Sequence, residues 1–499
     1  MRRLRYRILA LSLAAAGLAL LGSARPGGAA TLVQLRADAP QSARTTLAAA
    51  GATLVAPELR LWKLRGGAST LAELRADGAV SFEERDRTYT VLSAAADTDP
   101  LAPEEWWRAD VHVDQLTGPG PGVPITLVDS GVSFGHQEFV GRPNLIALNS
   151  QEPAPIGGVH GTATASVAGA PVNGIGLVGI YPQSILRSYD ASLGDGTQLP
   201  TDEIARGIVA AAQAGKSVIN LSLGGPDADP AITAAIDLAV RDGGLVVAAS
   251  GNSGDEGDDL TYPGASPHVL TIAATDESDH VASFSTESPW VDLSAPGVDI
   301  PVASALDDSY QAEDGTSFSS PMVAGAAAWL WTVRPQLDAS QVAEILRQSA
   351  RDVGTPGYDD ATGYGILDMT AALAAPTPTR DSPEPNDTLA AASTLTTAAR
   401  SSGRSTGRVA AFEDPIDVLR VWLPKRKTVT ATVTAGTGVA IRLQGSSLAA
   451  GSRLALGKIV RGKQTVTYRN TRAGRSGYLV VTPKAGNRDA VYTVSVAAH

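Results

Sequence analysis

The apolar, alanine-dense run from Phe318 to Val333 has the length of a helix, and it starts directly on the small-residue turn Gly315-Thr316 and on Ser317. That run fixes one helix and sets a serine hydroxyl at its N-terminus. Free backbone N–H groups and the helix dipole favour negative charge there. A nucleophile that must create and hold an oxyanion is well served by such a position. A lone Thr-Ser pair at a helix start also reads as an ordinary N-cap, so the assignment depends on the rest of the chain.

Two further segments supply what a serine needs. Residues 123–131 read as a buried-type strand ending on Asp129, followed by Ser130-Gly131. In an open α/β sheet, sites form at the carboxyl ends of strands, which is where Asp129 falls. His160 opens a loop that runs into a small-residue helix through Gly161 and Thr162. A serine hydroxyl is a weak nucleophile near neutral pH. A histidine must take its proton, and a carboxylate must fix the imidazole tautomer and stabilise the imidazolium. Taken singly, Asp129 reads as turn chemistry and His160 as a helix-start residue; the three contexts together are far harder to obtain by chance. A fourth segment, residues 244–254, is a buried strand followed by a glycine turn that exposes Asn252. A side-chain amide aimed at a developing oxyanion is worth about 2.7–4 kcal/mol.

In the order Asp, His, Asn, Ser, these segments resemble the subtilisin-type (subtilase) serine peptidases. The resemblance spans about residues 98–375. It implies Asp129, His160 and Ser317 as the triad and Asn252 as the oxyanion-hole side chain. Residues 218–225 resemble the family's substrate-binding strand, so Ser222, Leu223 and Gly224, with Ser250 and Gly251, are expected to line the substrate cleft. Phe318-Ser319-Ser320 departs from the family's usual Met-Ala and a small residue after the nucleophile, which bears on local packing. Glu138 and Asn173 are expected as ligands of a structural calcium ion; glutamate stands where the family more often has aspartate. The acidic stretch Asp255 to Asp259 is a second candidate for a cation, or a bias toward basic side chains in the substrate. No organic cofactor is implied.

The remaining residues frame this reading. The chain has 499 residues and no cysteine, which excludes thiol catalysis and leaves its stability to packing and metal. Of its six histidines, His136 reads as structural, and His112, His268, His280 and His499 have no catalytic context. No Gly-x-Ser-x-Gly elbow offers a rival nucleophile. A basic start, Met1–Arg7, then an apolar stretch to Leu21 and small residues read as a cleaved signal peptide (residues 1–30) and an exported protein; an uncleaved anchor is the alternative. The mature form is expected to have no membrane span. Residues 31–96 read as β-α-β-β-α-β, a ferredoxin-like order similar to the inhibitory propeptide of subtilases. The catalytic domain is expected at 97–375, a Pro-Thr linker at 376–390, and a small β-sandwich at 391–499. The stretch Glu384 to Thr388 resembles the start of bacterial prepeptidase C-terminal domains, with a generic immunoglobulin-like sandwich as the rival.

The expected fold class is therefore α/β, a subtilisin-like parallel sheet with helices on both faces, between an α+β propeptide and a β-sandwich. The expected function is a secreted, extracellular or cell-surface serine endopeptidase made as a zymogen. Its partners would be polypeptide substrates and its own propeptide. The alternative is a non-catalytic binding or adhesion protein that kept the fold. Residues 98–375 carry 9 Lys and Arg against 36 Asp and Glu, net −27, whereas residues 376–499 carry 18 against 7, net +11. The basic module could dock on its own acidic enzyme or hold it to an anionic cell-surface polymer, and tethering is the expected use, with the linker keeping the two apart unless they pack. Without an aromatic stripe, nucleic-acid binding is not expected.

Overall fold

The computed structural model describes residues 30–85, 99–149, 159–193 and 198–499. Apart from Ala30, the expected signal peptide lies outside the described residues, as do residues 86–98 at the end of the expected propeptide. The chain divides into two compact units, one within residues 7–95 and one formed by residues 96–499.

The first unit follows the expected element order: β1 (Ala30–Leu35), α1 (Gln41–Ala49), β2 (Thr53–Ala56), β3 (Leu61–Arg65), α2 (Ala68–Ala76) and β4 (Val80–Arg85). Its antiparallel sheet runs β2-β3-β1-β4. Apolar residues at helical spacing, Ala43 and Leu47 on α1 and Leu71 and Leu74 on α2, close over Val33, Leu35 and Leu64.

The second unit is built on a seven-stranded sheet, ordered β11-β10-β9-β8-β5-β7-β6. These are β5 (Ile125–Asp129), β6 (Leu145–Ala147), β7 (Leu186–Asp190), β8 (Val218–Leu221), β9 (Leu245–Ala249), β10 (Val269–Thr275) and β11 (Leu293–Pro296). Every pairing in it is parallel. Such strands are covered on both faces, so they read as continuous apolar runs. Ile125, Leu127, Val218 and Val247 face one core, shared with α4 (Val159–Gly169), α7 (Thr316–Val333) and α8 (Ala339–Ser349). Val128, Ile219, Leu221 and Val246 face the other, closed by α5 (Thr201–Gln213) and α6 (Pro230–Arg241). This alternation is the period-two rule of a strand acting inside an all-apolar segment. Chain order reverses on either side of β5, so the crevice opens at the carboxyl ends of β5 and β8. A short helix, α3 (Trp107–Asp110), and a final one, α9 (Met369–Ala374), complete this part, with a β12–β13 hairpin (Ile300–Ser304, Ser309–Glu313).

Residues 393–498 hold β14 (Ser393–Thr394), β15 (Ser402–Ala410), β16 (Asp417–Leu423), β17 (Thr428–Ala435), β18 (Val439–Gln444), β19 (Arg453–Leu456), β20 (Lys458–Val460), β21 (Lys463–Arg469), β22 (Arg475–Pro483) and β23 (Asp489–Ala498). They form two five-stranded sheets, β14-β16-β22-β18-β19 and β15-β23-β17-β21-β20. Val429, Ala431 and Val433 of β17 (Thr428–Ala435) alternate inward against Leu479 and Val481 of β22 (Arg475–Pro483). The separation expected between this sandwich and the catalytic part is not observed. Arg408 pairs with Glu344 of α8 at 3.2 Å. Arg488 donates to the carbonyl of Pro289 at 2.6 Å and lies 3.4 Å from the Tyr358 ring centroid. Tyr364 donates to Asp489 at 2.7 Å. The expected linker is also shorter than 376–390: Ser382 and Asn386 are buried and both donate to Asp417 of β16 (Asp417–Leu423). The Pro-Thr stretch is too short to separate the modules once residues 381–387 are built into the sandwich.

Candidate active site

The four motifs meet at the carboxyl edge of the parallel sheet. Asp129 is the last residue of β5 and is buried. Its Oδ1 accepts from the Ser130 N–H at 2.7 Å and lies 2.8 Å from His160 Nδ1. Thr164, one turn along α4 from His160, donates to the other oxygen at 3.3 Å. These contacts set the carboxylate, and the carboxylate sets the ring. His160 sits in the first turn of α4 rather than in a preceding loop. The next residue must be glycine, because a Cβ on Gly161 would lie 2.1 Å from the Gly131 carbonyl oxygen. Burial alone would lower the pKa of His160. The charge and hydrogen bond of Asp129, with Glu313 behind them, outweigh it and hold the imidazole above its usual value. The free base therefore forms only above the pH at which an unperturbed imidazole loses its proton.

Ser317 is the second residue of α7, and its cap residue is Gly315, so the hydroxyl is not an N-cap. Its Oγ lies 3.5 Å from the Ser222 carbonyl oxygen; no Ser317–His160 hydrogen bond is closed among the described residues. Such bonds are often long in a substrate-free site and tighten when substrate binds. Phe318 packs its ring on His160, with centroids 6.2 Å apart; this is the structural consequence of the departure from the family pattern.

Two supports for Ser317 were not legible in the sequence. Pro321 lies inside α7, and, having no N–H, it leaves the Ser317 carbonyl without its helical donor. The Ser222 hydroxyl fills the gap at 2.7 Å. Asn220 in turn donates to Ser222 at 2.9 Å and accepts from Ser320 at 2.6 Å. The Ser222 side chain is thus buried scaffolding, and only its backbone faces the cleft. Thr316 orients Asn252: its N–H and hydroxyl both donate to Asn252 Oδ1, at 3.0 and 2.8 Å. With Oδ1 engaged, the amide turns its Nδ2 outward. A Cβ at Gly315 would sit 3.5 Å from Asn252 Nδ2 and 3.6 Å from the Ser317 nitrogen, so both donors border one space.

Of the other cleft residues, Leu223 is half-buried and Gly224 exposed, while Ser250 and Gly251 are buried. Gly251 has φ +112°, and a Cβ there would lie 2.2 Å from Thr261 Oγ1. Tyr262 pairs with Gly225 across the cleft, its N–H donating to that carbonyl at 2.8 Å.

Glu138 is buried beside the loop that carries Asn173. Its Oε2 accepts from the Leu177 N–H at 3.1 Å and from the Tyr310 hydroxyl at 2.9 Å, and its Oε1 is buried with no hydrogen-bond partner among the described residues. Burial, reinforced by the nearby Asp99 charge, pushes its pKa up to about 7. Asp99 accepts from the Gly174 N–H of the same loop at 2.6 Å. Asn173, expected as a ligand, instead directs its Oδ1 to the Ile175 N–H at 2.7 Å. The Glu138 and Asp99 carboxylates facing this loop, with the unsatisfied Glu138 Oε1, fit a hard cation better than the expected Glu138–Asn173 pair does. His136 is buried as expected, taking the Glu138 N–H at 3.1 Å. In the acidic stretch, Asp258 accepts the Glu287 N–H at 2.9 Å.

The Subtilase family profile matches residues 120–365. Subtilisin DY from Bacillus licheniformis is 35% identical over 259 residues, which cover 51% of this chain and 91% of that protein. The chain belongs to the subtilase family. It is a serine endopeptidase, which sets aside the reading as a non-catalytic binding protein. A Bacillus pumilus subtilisin is 34% identical over 258 residues, covering 51% of this subtilase and 91% of that one. Fervidolysin from Fervidobacterium pennivorans, at 19% identity, superimposes with a TM-score of 0.52 over 91% of this chain and 86% of its own, a likeness of fold.

Proposed function

We propose that this subtilase is a secreted endopeptidase, made as a zymogen, in which Asp129, His160 and Ser317 form the triad. The observation that carries the reading is the 2.8 Å contact between Asp129 and His160 beside a space bordered by Asn252 Nδ2 and the Ser317 N–H. Ser317 Oγ attacks the scissile carbonyl and His160 takes its proton. Asp129 keeps the ring in the productive tautomer and stabilises the imidazolium. The two N–H donors receive the oxyanion, and His160 then protonates the leaving amine. The acyl-enzyme is released by water through the same steps in reverse roles. Backbone groups of residues 222–225 hold the substrate as an added strand.

The N-terminal β-α-β-β-α-β unit supports a propeptide that assists folding and blocks the cleft until it is cut away. No described helix is long and apolar enough to cross a membrane. The test is labelling with a fluorophosphonate. Residues 31–499 purified intact should resist the probe, and loss of residues 31–96 should expose one site that maps to Ser317. Labelling elsewhere, or equal labelling of the uncut chain, would refute the triad or the zymogen respectively.

Calcium is proposed at Glu138 and Asp99, with carbonyl oxygens of residues 173–177 completing a shell of six to eight oxygens. The ion would supply charge compensation and hold the loop, with no part in bond cleavage. The thermal midpoint should rise by several degrees between excess chelator and millimolar calcium, a linkage of about 2–4 kcal/mol at saturation. Glu138→Gln should remove that rise; a midpoint indifferent to calcium in the parent chain would overturn the site.

A further inference from the structure

A second group of potential ligands lies far from the triad, where the β-sandwich meets the catalytic part. Ligand atoms of His268, Glu384 and Asp414 all fall within 4.8 Å of one another. His268 immediately precedes β10 in the catalytic part; Glu384 and Asp414 belong to the sandwich side. They border a cleft of about 530 Å³ between the two, which gives an ion a route in.

The details of this group are those of a site rather than of an ordinary acidic surface. Asp414 is 7% exposed, and its Oδ1 is buried with no hydrogen-bond partner among the described residues. Asp387 Oδ1 and Glu413 Oε2 are buried and unpartnered as well. Buried polar atoms are almost always satisfied, and an exception calls for an ion or water. Of the nearby guanidinium groups, Arg408 is committed to Glu344 at 3.2 Å and Asp489 at 3.1 Å, and Arg488 pairs with the other oxygen of Glu413 at 2.5 Å. The Glu384 carboxylate is held in place by the Asn386 N–H, which donates to its Oε2 at 2.9 Å, and by the Ser382 hydroxyl, which donates to its Oε1 at 3.2 Å.

His268 is placed by its backbone conformation and two contacts. Its backbone has φ +61°, a left-handed conformation that a bulky side chain adopts only when its surroundings require it. Its N–H donates across the interface to the Glu413 carbonyl at 2.8 Å. Its Nε2 lies 2.9 Å from Asp387 Oδ2, the kind of carboxylate contact that orients a ligating imidazole.

We propose that His268, Glu384 and Asp414 bind one first-row transition dication, zinc or manganese, and that the ion fastens the β-sandwich to the catalytic part. Imidazole with carboxylates suits such an ion, whereas calcium takes oxygen ligands alone. Ligands about 2.1 Å from one tetrahedral ion stand roughly 3.4 Å apart, so the group closes on it with side-chain movements of about an ångström.

The test uses chelator-stripped residues 31–499 with Ser317→Ala, which prevents autolysis, and titrates zinc, manganese and calcium by calorimetry alongside thermal unfolding. One zinc or manganese ion should bind per chain and raise the midpoint. His268→Gln and Asp414→Asn should each weaken binding at least tenfold. Asp414→Asn should also raise the midpoint of the metal-free protein, because it removes a crowded carboxylate; a residue needed only for packing would lower it. Glu138→Gln, at the proposed calcium loop, should leave zinc binding intact, which separates the two sites. If either variant fails to fold, anomalous diffraction at the zinc edge on the parent chain locates the ion directly. No bound zinc or manganese, an ion located elsewhere, wild-type affinity in His268→Gln, or occupancy by calcium alone would each overturn the proposal.

Discussion

Ser317→Ala lowers kcat for peptide hydrolysis by roughly 10⁴–10⁶-fold, the range that loss of a triad member costs. The thermal midpoint should stay within about 2 °C of the parent, because the change is worth only a few tenths of a kcal/mol. The second half of that expectation follows from the hydroxyl's surroundings. Ser317 Oγ makes one long contact, 3.5 Å to the Ser222 carbonyl, and does not cap α7. What anchors the helix start is the Ser222 hydroxyl on the Ser317 carbonyl, which alanine leaves in place. A graded comparison comes from Asn252→Ala, which should cost about 10²–10³ in kcat with KM little changed, since the amide acts on charge that develops only in the transition state. Steady-state kinetics on the processed forms, with calorimetric scans, measure both. Hydrolysis at the parent rate by a folded Ser317→Ala enzyme would remove Ser317 as the nucleophile.

The parts of this site that were legible in the sequence are those whose chemistry is local. A buried strand ending on Asp129, a glycine turn exposing Asn252 and a serine heading an apolar helix can each be read within ten residues. Thr316 and Ser222 could not be assigned their supporting roles that way. The first acts through Asn252, sixty-four residues away in sequence, and the second through a carbonyl freed by Pro321. Pro321 inside a helical run was the available signal, since a proline there always leaves an acceptor to be satisfied. Asp99 was missed for the same reason: it joins Glu138 only because the loop at Asn173 brings them together.

One strand of the sandwich has side chains that carry little β preference. β15 (Ser402–Ala410) is rich in glycine, serine and arginine, yet it pairs with β23 (Asp489–Ala498) from Ser402 to Ala410 without a break. Cross-strand context there overrides propensity. Charge was legible as an amount and not as a direction. The polarity between −27 and +11 was read from the sequence, but which arginines meet which acids depends on the docked surfaces.

Those surfaces give the last prediction. Removing residues 376–499 should lower the thermal midpoint of the catalytic part by roughly 5–15 °C while leaving small-peptide kcat/KM at low temperature within about threefold of the parent. The sandwich meets the catalytic part at His268, just before β10, and the Gly243–Leu245 turn that leads into β9 lines the cleft between them. Both are amino ends of strands, whereas Asp129 and Asn252 lie at carboxyl ends, so the chemistry is on the opposite edge. Truncation strips Arg488 from the Pro289 and Val291 carbonyls, and Phe412 from Trp290, whose ring centroid is 5.6 Å away. It also takes Arg408 from Glu344. Glu344 then regains water, so its loss is smaller than that of a charge left buried and unpaired. Arg347 keeps Asp292 at 2.8 Å and holds α8 to the sheet. The cost is therefore the apolar and hydrogen-bonded contact of the interface, about 2–4 kcal/mol, rather than collapse of the domain. A truncated enzyme with an unchanged midpoint would show that docking contributes nothing and return the basic module to a tethering role. One with normal stability but lost activity would instead place the sandwich in the substrate path.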